Sequence, residues 1–310
     1  MGQLTYTTQE VQDRLDAVGT LVRPNLLDNA YFVGGGSQQG GGQFPINQRG
    51  QTSYPAGYTI DRWQSMAATT TVALTSESLR LTDSEPNWLL VQSMENVLVP
   101  GKTYTLSALY KAANSRIRLV VTWADGQFFY NLEAPVSSTY QLATITGTVP
   151  ENATIDYKQV VVQALDANCI IDLQAMKLEL GDTQTLAHQN ENGDWILNEI
   201  PNFQQELAKC QRYFIGFNDS NNHWCASGTG LSSTNALVVF PTPVTMRAVP
   251  SVTFRDAYLQ GNSSVWLAVT GMSAQSKNEN SVALMCDTTG LTAGAAVTLA
   301  ATKIFLSADL

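Results

Sequence analysis

The sequence predicts an all-β protein: two antiparallel β-sandwich modules in tandem, one short helix before them and a second between them. Three observations lead there. Short apolar or alternating runs recur from Tyr58 to Leu180 and again from Ala236 onward. Gly, Pro and Asn turns separate these runs, the spacing expected of an antiparallel sandwich. Only two stretches carry a helical period instead. The expected divisions are an N-terminal helix over 1–23, a first sandwich over 24–181, a linker and connecting helix over 182–214, and a second sandwich over 215–310.

The first helix is "TTQEVQDRLDAV". Thr7 and Glu10 fit a capping box, and Tyr6 with Val11 fits a hydrophobic staple. Val11, Leu15 and Val18 form one narrow apolar seam, Gly19 closes the helix, and Pro24 prevents its resumption. Thr8 to Val18 spans roughly 16 Å at ~1.5 Å per residue. An isolated helix this short is marginal in water. The seam therefore needs a cover: another copy, a partner, or the next domain.

The glycines of "VGGGSQQGGGQFPINQRG" invite a nucleotide reading. A phosphate cradle needs a strand before it and a helix after it, and Pro45 and Asn47 follow here, so a flexible loop is expected.

The first sandwich then reads strand by strand. "TTTVALTSESLRLT" alternates, "NWLLVQSM" is a short apolar run, and "GKTYTLSALYKA" alternates behind a Pro100-Gly101 turn. "SRIRLVVTW", "YQLATITGTV", "YKQVVVQAL" and "CIIDLQAMKLEL" follow. In the last run the apolar phase shifts near Ala175 and Met176, which predicts a bulge. "GDTQTLAHQNENGDW" reads as a polar linker. After it Phe203, Leu207, Cys210 and Phe214 fall at helical spacing, which puts Cys210 on the apolar stripe of the connecting helix. "ALVVFPTPVTMRAVPSVTF", "SSVWLAVTGM", "NSVALMC" and "AAVTLAATKIFLSADL" supply the strands of the second module.

Composition narrows the function. Charged residues make up only 14% of the chain, so Thr, Ser, Asn, Gln and Gly must wet its surface, as in extracellular or particle-borne β proteins. A net charge of −9 without a basic cluster argues against nucleic acid. No apolar run approaches the length of a membrane span, and no secretory signal opens the sequence. The four cysteines form no C-x-x-C pair, so free, partly buried thiols are expected.

Catalytic patterns are missing. The two histidines, His188 and His223, rule out a His-rich metal site, and neither H-E-x-x-H nor G-x-S-x-G occurs. Cys210, His223 and Cys225 lack a fourth zinc ligand and the paired spacing of a structural site. Ser227 near His223 reads as a Gly/Ser turn. No metal, no cofactor and no enzymatic activity are expected, although carboxylates such as Asp61, Asp125 and Asp172 could in principle pair in space for glycoside hydrolysis. Aromatic residues are more informative, because rings stack on sugar C–H faces while neighbouring polar groups bond the hydroxyls. The candidate glycan contacts are Trp88, Trp123, Phe128 and Tyr130. Of these, Trp88, Phe128 and Tyr130 are the ones expected to face solvent, whereas Trp123, like Trp63, also reads as a core plug.

Several passages together resemble a known family. "NLLDNAYF", "INQRGQTSY" and "YTIDRW" resemble the opening of β modules in fibre and tail proteins of bacteriophages and prophages. "LVPGKTYTLSALYKA" with "IIDLQAMKLELGD" resembles the jelly-roll sandwiches of carbohydrate-binding modules. "KLELGDTQTLAHQ" followed by "ELAKCQRYF" is similar to a junction in phage tail fibres, and "FPTPVTMRAVPSVTF" to a strand of their terminal domain. The resemblance covers most of Asn25 to Phe254. It implies a virion fibre or receptor-binding protein on the exterior of the phage particle, made in the host cytoplasm. Such proteins are usually homotrimers that contact bacterial cell-surface glycans. Val11, Leu15 and Val18 would then trimerise the chain or attach it to other virion proteins, and the distal module would recognise the host. A capsid decoration or head fibre shares this architecture, and the chain lacks the long repeat stalk of a tail fibre. A glycan depolymerase and a free carbohydrate-binding accessory module are the rivals of other classes. In this reading the Cys-Gln-Arg-Tyr segment is a joint between modules, with Cys210 and Phe214 packing it and Arg212 available for pairing.

Overall fold

The computed structural model describes residues 23–33, 44–95, 98–130, 133–156, 158–218, 224–261 and 265–309, with Tyr130 described by its backbone alone. The N-terminal seam of Val11, Leu15 and Val18, most of the glycine-rich run, and His223 lie outside the described residues.

Among the described residues the regular secondary structure is strand except for one short helix. Two six-stranded antiparallel sheets face each other in the first module. One runs Ser53–Tyr54, Thr71–Leu74, Leu79–Asp83, Cys169–Leu180, Thr103–Ala112, Ser137–Thr148. The other runs Gly57–Tyr58, Gln64–Ser65, Trp88–Ser93, Gln159–Ala164, Ile117–Ala124, Gln127–Tyr130. Alternation decides which side chains fill the space between them. In Ile117–Ala124 the core takes Ile117, Leu119, Val121 and Trp123, while in Thr103–Ala112 it takes Tyr104, Leu106, Ala108, Tyr110 and Ala112. Trp63 plugs the same core, fully buried, and its indole N–H donates to Asn29 O at 2.8 Å.

The stretch read as a polar linker is folded. Ala187–Gln189 and Trp195–Leu197 pair as a hairpin lying on the outside of the first sheet. Asn190 builds its turn: its side-chain oxygen accepts from the Asn192 and Asp194 amides, and Gly193 takes φ +83°. Buried charges hold the segment down. Lys177 Nζ, fully buried, lies 2.7 Å from Glu199, and the Glu179 carboxylate accepts from Thr185 N and Oγ1.

The connecting helix is Phe203–Gln211, capped by Asn202, whose side chain accepts from Gln205 N. Cys210 is completely buried among Phe44, Ile46, Phe203 and Leu207. In the second module every described strand belongs to one eight-stranded sheet. Its spine, Ala296–Ser307, pairs with Ser251–Gln260 on one side and with Phe214–Asn218 and Trp224–Gly230 on the other. The sheet bends round its own core, and one edge strand, Trp266–Ala268, runs through Val269 and Thr270 directly into the other edge strand, Gly271–Lys277. Val238, Leu284, Leu299, Ile304 and Met246 fill the interior. The "NHWCASGTG" passage, expected as a turn, supplies the strand Trp224–Gly230. Gly228 allows the close approach there, since a Cβ at that position would stand 1.9 Å from Leu237 O. Among the described residues no helix is long and apolar enough to cross a membrane.

Candidate functional site

The site begins with two register faults around one strand. Lys111, on Thr103–Ala112, faces outward from the first sheet. Beside it Ser137 pairs with Ala112 and Gln141 with Tyr110, so Ser138, Thr139 and Tyr140 oppose the single residue Lys111. On the other side Leu173 pairs with Tyr110 and Ala175 with Leu109, which makes Gln174 the extra residue. This is the bulge expected from the phase shift in "CIIDLQAMKLEL". Bulges re-aim side chains and commonly sit beside binding sites.

Together the two bulges bring Tyr140, Gln141 and Gln174 to the wall of a groove of about 500 Å³, and the hairpin supplies Asp194 and Trp195 as its opposite wall. Trp195 is half-buried because Leu109, Ala175, Leu186 and Ala187 support the hairpin beneath it. Its indole N–H meets no acceptor among the described residues. The Lys111 ammonium stands 5.1 Å from the Tyr140 ring centroid and 3.5 Å from Asp172. Burial pushes the Tyr140 phenol up, so it stays protonated and can donate. Burial pulls the Asp172 carboxyl up too, but the two hydrogen bonds from Arg80, at 2.8 and 2.9 Å, outweigh it and hold Asp172 below the usual range. The groove thus offers two aromatic rings, two side-chain amides, the hydroxyls of Ser138 and Thr139, and one exposed carboxylate, Asp194.

The aromatic residues singled out from the sequence lie elsewhere, around the second sheet. Trp123 leaves the glycan set: it takes an inward position of its strand, is 6% exposed, and packs at 6.0 Å against Phe129. Phe128 is 47% exposed and pairs with Thr122, while the Tyr130 backbone pairs with Val120. Trp88 is on the same outward face but is three strands from Phe128, roughly 14 Å sideways at ~4.8 Å per strand, and in register with Arg118 where Phe128 is in register with Thr122. Between them lie Val91, Val120 and Val161, on which Trp88 packs. These rings share a face without converging on one point. Among the described residues no three His, Cys, Asp or Glu side chains are placed to hold a metal.

Tyr140 and Trp195 were missed because neither stands in an aromatic cluster of the sequence. The traceable signals were the bulge in "CIIDLQAMKLEL" and the Asn-Gly-Asp turn before Trp195.

No protein-family model matches the chain, and no curated protein matches it. Among solved structures it is similar to the CBM22-1 xylan-binding domain of Xyn10C from Paenibacillus barcinonensis, at 15% identity over 43% of this chain and 94% of that one, with a TM-score of 0.33. CBM29_1, a family 29 carbohydrate-binding module from Piromyces equi, aligns at 15% identity over 41% of this chain and 87% of its own, with a TM-score of 0.31. The tandem CBM22-1–CBM22-2 domain from Paenibacillus barcinonensis Xyn10C spans 93% of this chain and 96% of its own at 12% identity, with a TM-score of 0.33.

Proposed function

We propose that this chain is a non-catalytic adhesin of a phage particle that holds bacterial surface glycans in the Tyr140–Trp195 groove. One observation carries the glycan assignment: two bulges at the level of Lys111 turn Tyr140 and Gln174 toward a hairpin-borne tryptophan. An aromatic wall accepts the C–H face of a sugar, and flanking amides and hydroxyls satisfy its hydroxyl groups. Hydrolysis would need two carboxylates facing the bond with room for water or a covalent step. Among the described lining residues only Asp194 is a carboxylate, and neighbouring Asp172 is occupied by Arg80 and Lys111. Binding without cleavage fits this arrangement better.

The virion setting rests on the ordered resemblance of the motifs. In it, Val11, Leu15 and Val18 trimerise the chain or dock it on the particle, and trimerisation multiplies weak sites by avidity. Two measurements test the proposal. On an array of bacterial lipopolysaccharides and capsular polysaccharides, Tyr140→Ala and Trp195→Ala should each weaken binding roughly tenfold, the scale of one lost stacking contact. Binding unchanged in both folded variants, or no bound glycan at all, would remove the groove. Light scattering on the full chain and on one beginning at Asn25 should give a trimer and a monomer, respectively. A monomeric full chain would refute trimerisation.

A further inference from the structure

The second module carries an unexplained aromatic feature. Trp224 and Trp266 are 65% and 44% exposed, with ring centroids 6.5 Å apart and planes tilted by 39°. A folded chain gains by burying indoles, so two adjacent ones left in solvent mark a contact surface. The sheet places them deliberately. Trp224 pairs with Ala300 and Ala226 with Leu299, so Cys225 is an extra residue whose bulge re-aims Trp224. Trp266 pairs with Gln260, Gln260 with Thr298, and Thr298 with Ser227, one continuous row across the outer face. Side chains two apart on a strand share a face, so Tyr258 and its partner Ala300 bring Trp224 to the same side as Trp266.

That row opens into a trough of about 600 Å³. Ser227, Thr229, Gln260 and Thr298 line it with hydroxyls and an amide, Val239 adds an exposed apolar edge, and among the described residues no lining side chain is charged. We infer that Trp224, Trp266 and this trough form a second carbohydrate site, for a neutral oligosaccharide. Indole faces take the apolar faces of sugar rings, and neutral donors and acceptors match sugar hydroxyls without the desolvation cost of an ion. The groove of the first module differs in having Lys111 and Asp194 on its walls. The inference goes beyond the groove, since neither site shares a residue with the other. Two sites on one chain raise the effective concentration of the second once the first is filled.

The test is affinity electrophoresis of the full chain in gels containing galactomannan, xyloglucan, mixed-linkage β-glucan or a neutral bacterial O-polysaccharide. Polygalacturonate serves as the charged comparison. At least one neutral polymer should retard the chain, and retardation should persist in a Tyr140→Ala/Trp195→Ala background. Adding Trp224→Ala/Trp266→Ala to that background should weaken it roughly tenfold or more, and Trp224→Phe/Trp266→Phe should fall between. Both rings are on the surface, and far-ultraviolet circular dichroism with the urea midpoint checks the fold. Three results would each overturn the inference: no retardation by any neutral polymer, retardation indifferent to the tryptophan pair, or a tryptophan variant that changes only the mass in solution. The last would assign the pair to a contact with a second copy. Failure of the groove is read separately, from the array binding of Tyr140→Ala and Trp195→Ala.

Discussion

Arg49 Nη2 lies 2.6 Å from the Asp309 carboxylate, tying the opening of the first module to the segment just past the spine of the second. The same guanidinium bonds Asp61 at 3.1 Å and stacks on Phe214 with 3.8 Å to the ring centroid. Around it Gln48 Nε2 donates to both Asp61 and Phe214 O at 2.7 Å. Arg62 lies over the Tyr213 ring at 3.4 Å, and Glu95 receives Arg247 at 2.7 Å and Arg212 at 3.3 Å. Glu206 of the helix reaches back to Asn29 N at 2.9 Å. The passages that looked related to fibre proteins, "LLDNAYF", "INQRG", "TIDRW", "CQRYF" and "TMRAVP", meet here. Their common property is that they build the joint, which fixes one module against the other.

Arg49→Ala should therefore destabilise the whole chain. At a pH above about 7, where Asp61 is ionised, it leaves that fully buried carboxylate without its cation, a loss of about 3–5 kcal/mol for a broken buried pair. Arg49→Lys should recover only part, because an ammonium can neither fork between two carboxylates nor stack flat on Phe214. Urea unfolding checks both. An Arg49→Ala midpoint equal to that of the parent would mean the joint contributes nothing to stability.

Gly216→Ala attacks the joint by shape instead of charge. A Cβ at Gly216 would sit 2.4 Å from Gln48 O, a backbone atom that cannot turn aside. Either the strand Phe214–Asn218 or the Gln48 loop must move, at a cost on the order of 1–3 kcal/mol. Gly261→Ala, whose new Cβ would stand 3.9 Å from Ala296 O, its nearest neighbour among the described residues, should stay within about 0.5 kcal/mol in the same urea series. Equal effects of the two would contradict the close approach.

Most strands were legible because the alternation has a local cause. "SRIRLVVTW" fixes both the strand and its inward set, and the same alternation that puts Ile117, Leu119 and Val121 inside puts Trp123 there too. The connecting helix and the packing of Cys210 followed from spacing in the same way. What escaped depends on distant pairing. Tyr140 and Trp195 meet only because one strand carries surplus residues and a polar hairpin folds back on the sheet. That hairpin is held by Lys177–Glu199 and by Glu179 with Thr185, and charged side chains in a sequence signal solvent, not burial. The second module showed its strands but not their order, since its spine pairs with segments both before and after the linking loops.

Cys210→Ala should cost about 1 kcal/mol, the scale of a small core truncation, and leave glycan binding intact. The residue belongs to the cluster of Phe44, Ile46, Phe203 and Leu207, none of which lines the groove. Burial pushes its pKa well above that of a free cysteine, so the native protein should not react there with a thiol reagent until it unfolds. Loss of binding in a folded Cys210→Ala variant would make the segment more than a joint.

The joint should also respond to protons, through Asp61. Burial pushes its carboxyl up to about 7, against the pull of Arg49 and Gln48. In the unfolded chain the group releases its proton near the ordinary value of 3.8. Between those values the folded chain holds a proton that the unfolded chain has lost, so this group's contribution to stability falls as pH rises from about 4 to 7. Asp83, Glu95 and Asp172 are held below their usual range and act in the opposite sense, losing their contribution as pH falls. The observed profile mixes the two, and Asp61→Asn separates them. It removes the titration while leaving Arg49 its bond to Asp309. Subtracting the urea midpoints of Asp61→Asn from those of the parent should give a difference that declines as pH rises from about 4 to 7 and levels off above. A flat difference would show that Asp61 is ionised throughout, its cation and amide donors outweighing its burial.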